Sequence, residues 1–548
     1  MRRLIVLLPL CVLPLLAQAA PPARHKPAPI PVPAETSVRT QHSVAIDGTT
    51  IKYTATAGTL LLKNARNQAV ASVFYIAYTE NGAKPEQRPL TFAYNGGPGF
   101  ASALVDIGGF GPERIVWPTP GDIKTEQPPY KLVPNTDSIL KSTDLVFIDA
   151  IGTGYSRIVG HGKPKDFYGV AQDAKAFAQF VQRYVSVNQR WNSPKFLLGE
   201  SYGTTRNAVL ANDLVSNGIY LNGVIMCSTV LDFRTLNSTP GNDLPFITYL
   251  PSYAAVAWYH HRLKPMPASL PTFVHQVEQF AGGAYAHALF EGAALPLTDK
   301  KKIAAQLARD TGLPESLWLK ADLRIPLPVF RRNLLGNGTM TGRYDERYTT
   351  FELQPLLALQ GQSAAGATTT AIWGALTASM NDYLVAQLKY HSDRPYIQSS
   401  GKVFRDWDWK YSPPLSGLAA GVGNRSTFRV DNVAPALARA MNNDPGMQLM
   451  MNNGYYDTAT PFFATQYTLA HMGLPAALGK NIHWFYYPVG HMLYLNLQVL
   501  PQVDRNIDSF ITEATATGPS PKSDKTARGS DRNVHAGNPA ANGGVTSD

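Results

Sequence analysis

Ser201 lies between two glycines in the run Gly199-Glu200-Ser201-Tyr202-Gly203, directly after the apolar stretch "KFLL". Gly-x-Ser-x-Gly is the pattern of a nucleophile held on a sharp strand-to-helix turn. The glycines let strand and helix cross closely, and the strained serine backbone lifts the hydroxyl clear. A hydroxyl attacks a carbonyl only with a base to take its proton and an acid to orient that base. Downstream, in the order Ser, Asp, His, the chain offers Asp457 in "YYDTATP" after the strand-like "GMQLMMNNG", and His491 after "NIHWFYYPV". Competing acids, Asp406, Asp408, Asp431 and Asp444, have less strand-bounded surroundings and read as surface or capping residues. His483 falls inside a strand pattern and His471 inside a helical one. The chemistry on offer is acyl transfer through Ser201.

The tetrahedral oxyanion formed in such a reaction needs backbone N–H donors. The amide after the nucleophile, that of Tyr202, is one. The loop "FAYNGGPGF" supplies a second, with Asn95, Gly96, Gly97 and Gly99 around Pro98. A phosphate-binding loop would need a Lys-Ser/Thr pair or Gly-x-Gly-x-x-Gly spacing, and neither is present. His260 and His261 are adjacent, so they point to different helix faces, and no third metal ligand accompanies them.

The elements that would carry these groups follow a telling order. "TIKYTATAGTLLL" and "VASVFYIAYTE" alternate in polarity around Asn64-Ala65-Arg66-Asn67, which predicts an antiparallel hairpin. "PLTFAYNGG", "TDLVFIDAIG", "KFLLGES" and "GVIMCST" are short and apolar on both faces. Stretches with helical spacing, such as "DFYGVAQDAKAFAQFVQRYVSV", separate them. The expected fold is α/β: a mostly parallel central sheet with an antiparallel N-terminal edge, helices on both faces, and functional groups beyond the carboxyl ends of the strands. The core is expected in two parts, 41–230 and 341–513. Between them, 231–340 reads as a helical cap inserted over the strand ends, where lids choose substrates.

The chain begins Met1-Arg2-Arg3, then an apolar run from Leu4 to Leu16, then Ala17-Gln18-Ala19. That is the form of a secretory signal over residues 1–20, and it predicts an exported, periplasmic or secreted protein of bacterial type with no stable membrane insertion after cleavage. Residues 21–40 form a proline-rich spacer, and 514–548 lack apolar periodicity and read as a disordered tail. Of two cysteines, Cys11 leaves with the signal and Cys227 sits in the apolar run "NGVIMCSTV", so no internal disulfide is expected. The net charge of +10 is dispersed, without a dominant basic run, which argues against a nucleic-acid partner.

Five motifs in this order, "YNGGPG" at 94–99, "FIDAIGTGYS" at 147–156, "GESYG" at 199–203, "NNGYYDTATP" at 452–461 and "VGHM" at 489–492, resemble the serine carboxypeptidase family. The resemblance implies an α/β-hydrolase fold with a cap after the sixth core strand, action on the C-terminal residue of peptides, and no metal or organic cofactor. It makes Ser201 the nucleophile, His491 the base, Asp457 the orienting acid, and the Gly97 and Tyr202 amides the oxyanion donors. Asn95, Gly96 and Glu200 would bind the substrate's terminal carboxylate. The chain departs from the family in having Phe100-Ala101-Ser102 where Cys-Ser-Ser is usual, in lacking cap disulfides, and in having Gly109 where a second clamp glutamate usually stands. Glu113 is near in sequence. An esterase or acyltransferase using the same triad, and a binding protein that kept only the scaffold, are the alternatives. The intact triad disfavours the second, while Asn95 and Glu200 have no evident use in the first.

Overall fold

Strand β1 (Ser37–Ile46) keeps an exposed face along its whole length, β2 (Thr49–Lys63) alternates at first and is then buried on both faces, and β3 (Ala69–Glu80) is buried on both faces almost throughout. In the computed structural model, which describes residues 30–120, 127–352, 366–411 and 432–516, they pair as an antiparallel meander. The expected hairpin is present as β2 and β3. Its outer partner β1 begins at Ser37, inside the stretch read as spacer, so the spacer ends earlier than residue 40.

The remaining strands are β4 (Leu90–Tyr94), the short ribbon β5 (Glu113–Ile115) and β6 (Leu132–Pro134), β7 (Asp144–Ile148), β8 (Arg157–Ile158), β9 (Lys195–Glu200), β10 (Gly223–Cys227), the hairpin β11 (Thr339–Thr341) and β12 (Thr349–Phe351), β13 (Gln448–Gly454) and β14 (Ile482–Tyr487). The main sheet runs β1-β2-β3-β7-β4-β9-β10-β13-β14, with β8 beside β3. From β7 to β14 every pairing is parallel, whereas β3 meets β7 antiparallel. This is the α/β-hydrolase arrangement.

Period-two alternation divides the core. Phe92, Leu197, Val224, Met226, Leu449 and Met451 face one way, against α1 (Val170–Val187), α2 (Tyr202–Ser216) and the helix Ala434–Asn443. Ala93, Phe196, Leu198, Ile225, Cys227 and Met450 face the other way, against the helices Ala367–Asp382 and Leu500–Ala516. Cys227 is a buried, free thiol.

Between β10 and β11 the chain forms helices α3 (Leu244–Tyr259), α4 (Leu270–Phe280), α5 (Ala286–Glu291), α6 (Leu297–Thr311), α7 (Glu315–Lys320) and α8 (Leu327–Asn333). They share their own apolar cluster, with Tyr253 stacked on Phe330 at 3.9 Å and Trp318 fully buried. Tyr456 and Phe462, from just beyond β13, complete that cluster and join it to the sheet.

The closing helix runs to Ala516, past the expected boundary at 513, and Ala514 is buried. Residues 517–548, like the expected signal at 1–20, lie outside the described residues. Ending the chain after Ala516 should leave the melting temperature and activity at full-length values. Ending it after Asn506 removes buried Ile507, Phe510 and Ile511, each contributing about 1.5–3 kcal/mol, and calorimetry should then find a sharply destabilised protein.

Candidate active site

Strand register brings the motif residues to one level. Tyr94 pairs with Gly199, Glu200 with Cys227, Cys227 with Asn452, and Asn452 with Phe485, so β4, β9, β10, β13 and β14 end together. The residues that follow these ends, Asn95, Ser201, Ser228, Asp457 and His491, therefore emerge on one rim of the sheet.

Ser201 sits at φ 60° and ψ −127°, a conformation that costs a side-chain-bearing residue about 1–3 kcal/mol. The surroundings hold it there. Its N–H donates to the Cys227 carbonyl at 3.0 Å, and its carbonyl accepts from the Thr204 amide at 2.8 Å and the Thr204 hydroxyl at 2.7 Å. Gly199 is sterically required, since a Cβ there would lie 2.4 Å from the Gly203 carbonyl oxygen, and a Cβ on Gly203 would be tight against the Tyr94 carbonyl oxygen at 3.0 Å. Ser201 precedes the first turn of α2, yet its side chain does not cap the helix, which leaves the hydroxyl free for chemistry.

Asp457 and His491 are joined. His491 Nδ1 lies 2.8 Å from Asp457 Oδ2, and both side chains are buried. Asp457 is itself fixed, its Oδ1 accepting from the Ala459 and Thr460 amides at 2.8 and 2.9 Å and its Oδ2 from the Thr460 hydroxyl at 2.7 Å. Burial opposes charge on the imidazole, but the Asp457 carboxylate, through its charge and its hydrogen bond, together with Glu200, outweighs burial and holds the proton above histidine's usual range. The Ser228 hydroxyl donates to the His491 carbonyl at 2.6 Å, so β10 positions both the Ser201 amide and the His491 backbone. No hydrogen bond joins the Ser201 hydroxyl to His491 among the described residues; such bonds commonly form only with substrate in place.

The loop after β4 presses on the elbow. A Cβ on Gly96 would lie 2.5 Å from the amide nitrogens of both Tyr202 and Gly203, so only glycine permits this approach. Gly97 is exposed at φ 108°. Tyr202 opens α2, where a helix leaves N–H groups without internal acceptors and favours negative charge. The Tyr202 ring is held edge-on by Trp407 and Trp409, at 5.4 and 5.9 Å. Asn95 donates from Nδ2 to Glu200 Oε1 at 2.8 Å and accepts at Oδ1 from the Val105 amide at 3.0 Å. Burial, the largest influence on Glu200, pushes its carboxyl up to about 7, against His491, Tyr494 and Asn95, which favour its charged form.

Of the competing groups, Asp406 pairs with Lys402, Asp408 accepts from the Lys410 amide and Asp444 from the Leu221 amide. His483 lies on β14 bonded to Gln448, His471 ends the helix Phe462–Ala470, and His260 meets the Glu346 carbonyl at 2.8 Å. Asp431 falls outside the described residues.

The sequence reading missed several supports. Thr460 could have been found from its place three residues after Asp457, since a short polar side chain there completes a turn around the acid. Arg206 is fully buried, donating to Asp173 at 2.7 Å and to the Asn95 carbonyl at 2.8 Å, and a lone arginine on an amphipathic helix gives no such signal. The segment after β11 is the third support. Its Tyr344 carbonyl accepts from the His491 amide at 2.6 Å, Glu346 accepts from the Thr458 hydroxyl at 2.6 Å, and Arg347, paired with Asp345, donates to the Pro488 carbonyl at 3.1 Å. Residues returning from the cap therefore buttress both the Asp457 and the His491 loops.

Residues 49–237, which carry β2 through β10 and the Ser201 elbow, match the Peptidase S10 family, described as serine carboxypeptidase. Solved structures with related shape include a proline iminopeptidase of Mycobacterium smegmatis, 12% identical, covering 87% of this chain and 99% of its own, with a TM-score of 0.33. Two others are a carboxyl esterase of Bacillus coagulans (12% identity, 83% and 98% coverage, TM-score 0.32) and a putative lipase of Acinetobacter baumannii (12%, 84% and 93%, TM-score 0.34). The match over residues 49–237 makes this part of the chain similar to the serine carboxypeptidase family, and together with the α/β-hydrolase sheet it marks the chain as a hydrolase.

Proposed function

We propose that this chain is a serine carboxypeptidase that releases the C-terminal residue of peptides through an acyl-enzyme on Ser201. The observation that carries this reading is the buried hydrogen bond between Asn95 and Glu200, one residue from the elbow serine, with Glu200 biased toward its neutral form. A protonated Glu200 and the Asn95 amide together offer donors to a terminal carboxylate. An enzyme for uncharged esters has no need of them.

Ser201 Oγ attacks the scissile carbonyl while His491 Nε2 takes its proton, and Asp457 holds the imidazole in the productive tautomer through Nδ1. The Gly97 and Tyr202 amides receive the oxyanion. His491 then delivers the proton to the leaving amine. Water, deprotonated by the same ring, attacks the acyl-enzyme and frees the shortened peptide. The apolar N-terminal run supports export as the setting, and no helix among the described residues is long and apolar enough to cross a membrane.

The test is hydrolysis of a blocked dipeptide, its C-terminal amide and a short-chain ester, with and without a serine-directed fluorophosphonate. The expected result is a strong preference for the free carboxyl over the amide, abolished by the probe. Ester cleavage with no such preference would favour the esterase reading. The pH profiles should differ in sign. Neutral His491 is needed by every substrate, so all profiles rise with pH as it deprotonates. Ionised Glu200 repels a terminal carboxylate, so only the peptide profile falls again, as pH rises through about 7. Glu200→Gln keeps a donor that never ionises, and it should remove that alkaline limb for the peptide while leaving the ester without one.

A further inference from the structure

The resemblance places a second acid at position 109, beside Glu200, where this chain has glycine. Gly109 is not in the left-handed backbone region, so its φ does not demand glycine. What excludes a side chain is one residue. A Cβ at 109 would lie 2.2 Å from Tyr494 Cβ and 2.4 Å from Tyr494 Cγ, and the three nearest atoms all belong to Tyr494. Tyr494 lies in the short turn Leu493–Leu495 just after His491, is fully buried, and packs edge-on against Phe110 at 5.4 Å. Glu113, the nearby acid in sequence, sits instead on β5 beside Tyr53 and Tyr383.

Packing alone would be served equally well by phenylalanine, so the buried hydroxyl needs its own reason. It is close enough to Glu200 and Asn95 to couple to both. Yet neither Tyr494 Oη nor Glu200 Oε2 completes a hydrogen bond among the described residues. Buried polar atoms left incomplete carry a desolvation penalty that a purely structural arrangement would avoid.

We infer that Tyr494 replaces the missing clamp acid and is the positioning residue for Glu200, so that the carboxylate clamp of this chain is an Asn95–Glu200–Tyr494 triangle rather than a pair of acids. This rests on the carboxypeptidase reading for its purpose, but not for its geometry. The exchange reverses an electrostatic sign. Two neighbouring carboxyls share a proton and keep one of the pair neutral to high pH. The Tyr494 hydroxyl, whose own ionisation is pushed well above the usual range by burial and then by Glu200, can only donate. A hydroxyl that donates to Glu200 favours its ionised form, and so narrows the pH range in which a terminal carboxylate is accepted. The other groups acting on Glu200 are His491, which also favours its charge, Asp457, which opposes it, and the neighbouring Cys227 thiol on β10.

The test compares the full chain with Tyr494→Phe by two readouts. One is the pH profile of kcat/KM for the blocked dipeptide and for the short-chain ester. The other is infrared difference titration of the protonated-carboxyl band, assigned to Glu200 by its loss in Glu200→Gln. Removing the hydroxyl should raise the Glu200 titration, and with it the alkaline limb for the peptide, by about one pH unit, leaving the ester profile in place. An unmoved infrared titration, or equal losses on both substrates at every pH, would overturn the assignment and leave Tyr494 as packing. If the wild-type protein fails to prefer the free carboxyl over its amide, the carboxypeptidase reading falls, and the infrared titration still decides whether Tyr494 sets Glu200.

Discussion

Ser201→Ala and His491→Ala should each lower hydrolysis of every substrate by about 10^4- to 10^6-fold, and the double variant should be scarcely slower than either. The non-additivity follows from geometry. His491 is bonded to Asp457 and is buried with it, so its one reactive function is toward the serine hydroxyl, and without Ser201 a perfectly placed base has nothing to activate. The residual rate comes from the oxyanion amides and substrate positioning, which neither substitution touches. A fluorophosphonate should label Ser201 in wild-type protein and nothing in Ser201→Ala, read by peptide mass spectrometry. Labelling at another residue would refute the assignment of the nucleophile.

Gly96→Ala should lower kcat on peptide and ester alike by about 10^2- to 10^3-fold, the size of losing one oxyanion donor. The added methyl meets the backbone nitrogens of Tyr202 and Gly203 at 2.5 Å, and these cannot swing aside as a flexible side chain would. The loop or the helix start must move, and the amides of Gly97 and Tyr202 then no longer converge. Equal loss on both substrates separates this from the Glu200 and Tyr494 variants, which act only where a carboxylate is read. Steady-state kinetics on protein shown to be folded by circular dichroism would confirm it; an ester rate at wild-type level would show that the oxyanion site lies elsewhere.

How much of this was written in the sequence depends on the range of the interactions. The elbow, the glycine loop and the order of the parallel strands are legible because each is local: two-residue alternation for strands, glycines where backbones touch, and polar residues just past apolar runs. β1 escaped notice because its outer face is solvated and polar, so "SVRTQHSVAI" looks like spacer until β2 is beside it. The helix Ala367–Asp382 escaped because its apolar residues have no strong single face. Tyr494 and Arg206 act across large sequence separations, on Gly109 and Asn95, and a separation of that kind leaves no mark in spacing. Gly109 was visible as an anomaly; its explanation lay hundreds of residues away.

The segment from Arg343 to Arg347, which returns from the cap and holds the His491 and Asp457 loops, bears on the order in which activity is acquired. The elbow, its glycine loop and β10 belong to the first part of the chain and can form with the sheet. The general base cannot reach its final place until the inserted helices have collapsed and that return segment has docked. A molecule caught partway, with the sheet assembled and the cap still open, carries a nucleophile with no partner to activate it. Hydrolytic competence on the proposed reading therefore depends on the docking of this return segment as well as on the assembly of the sheet.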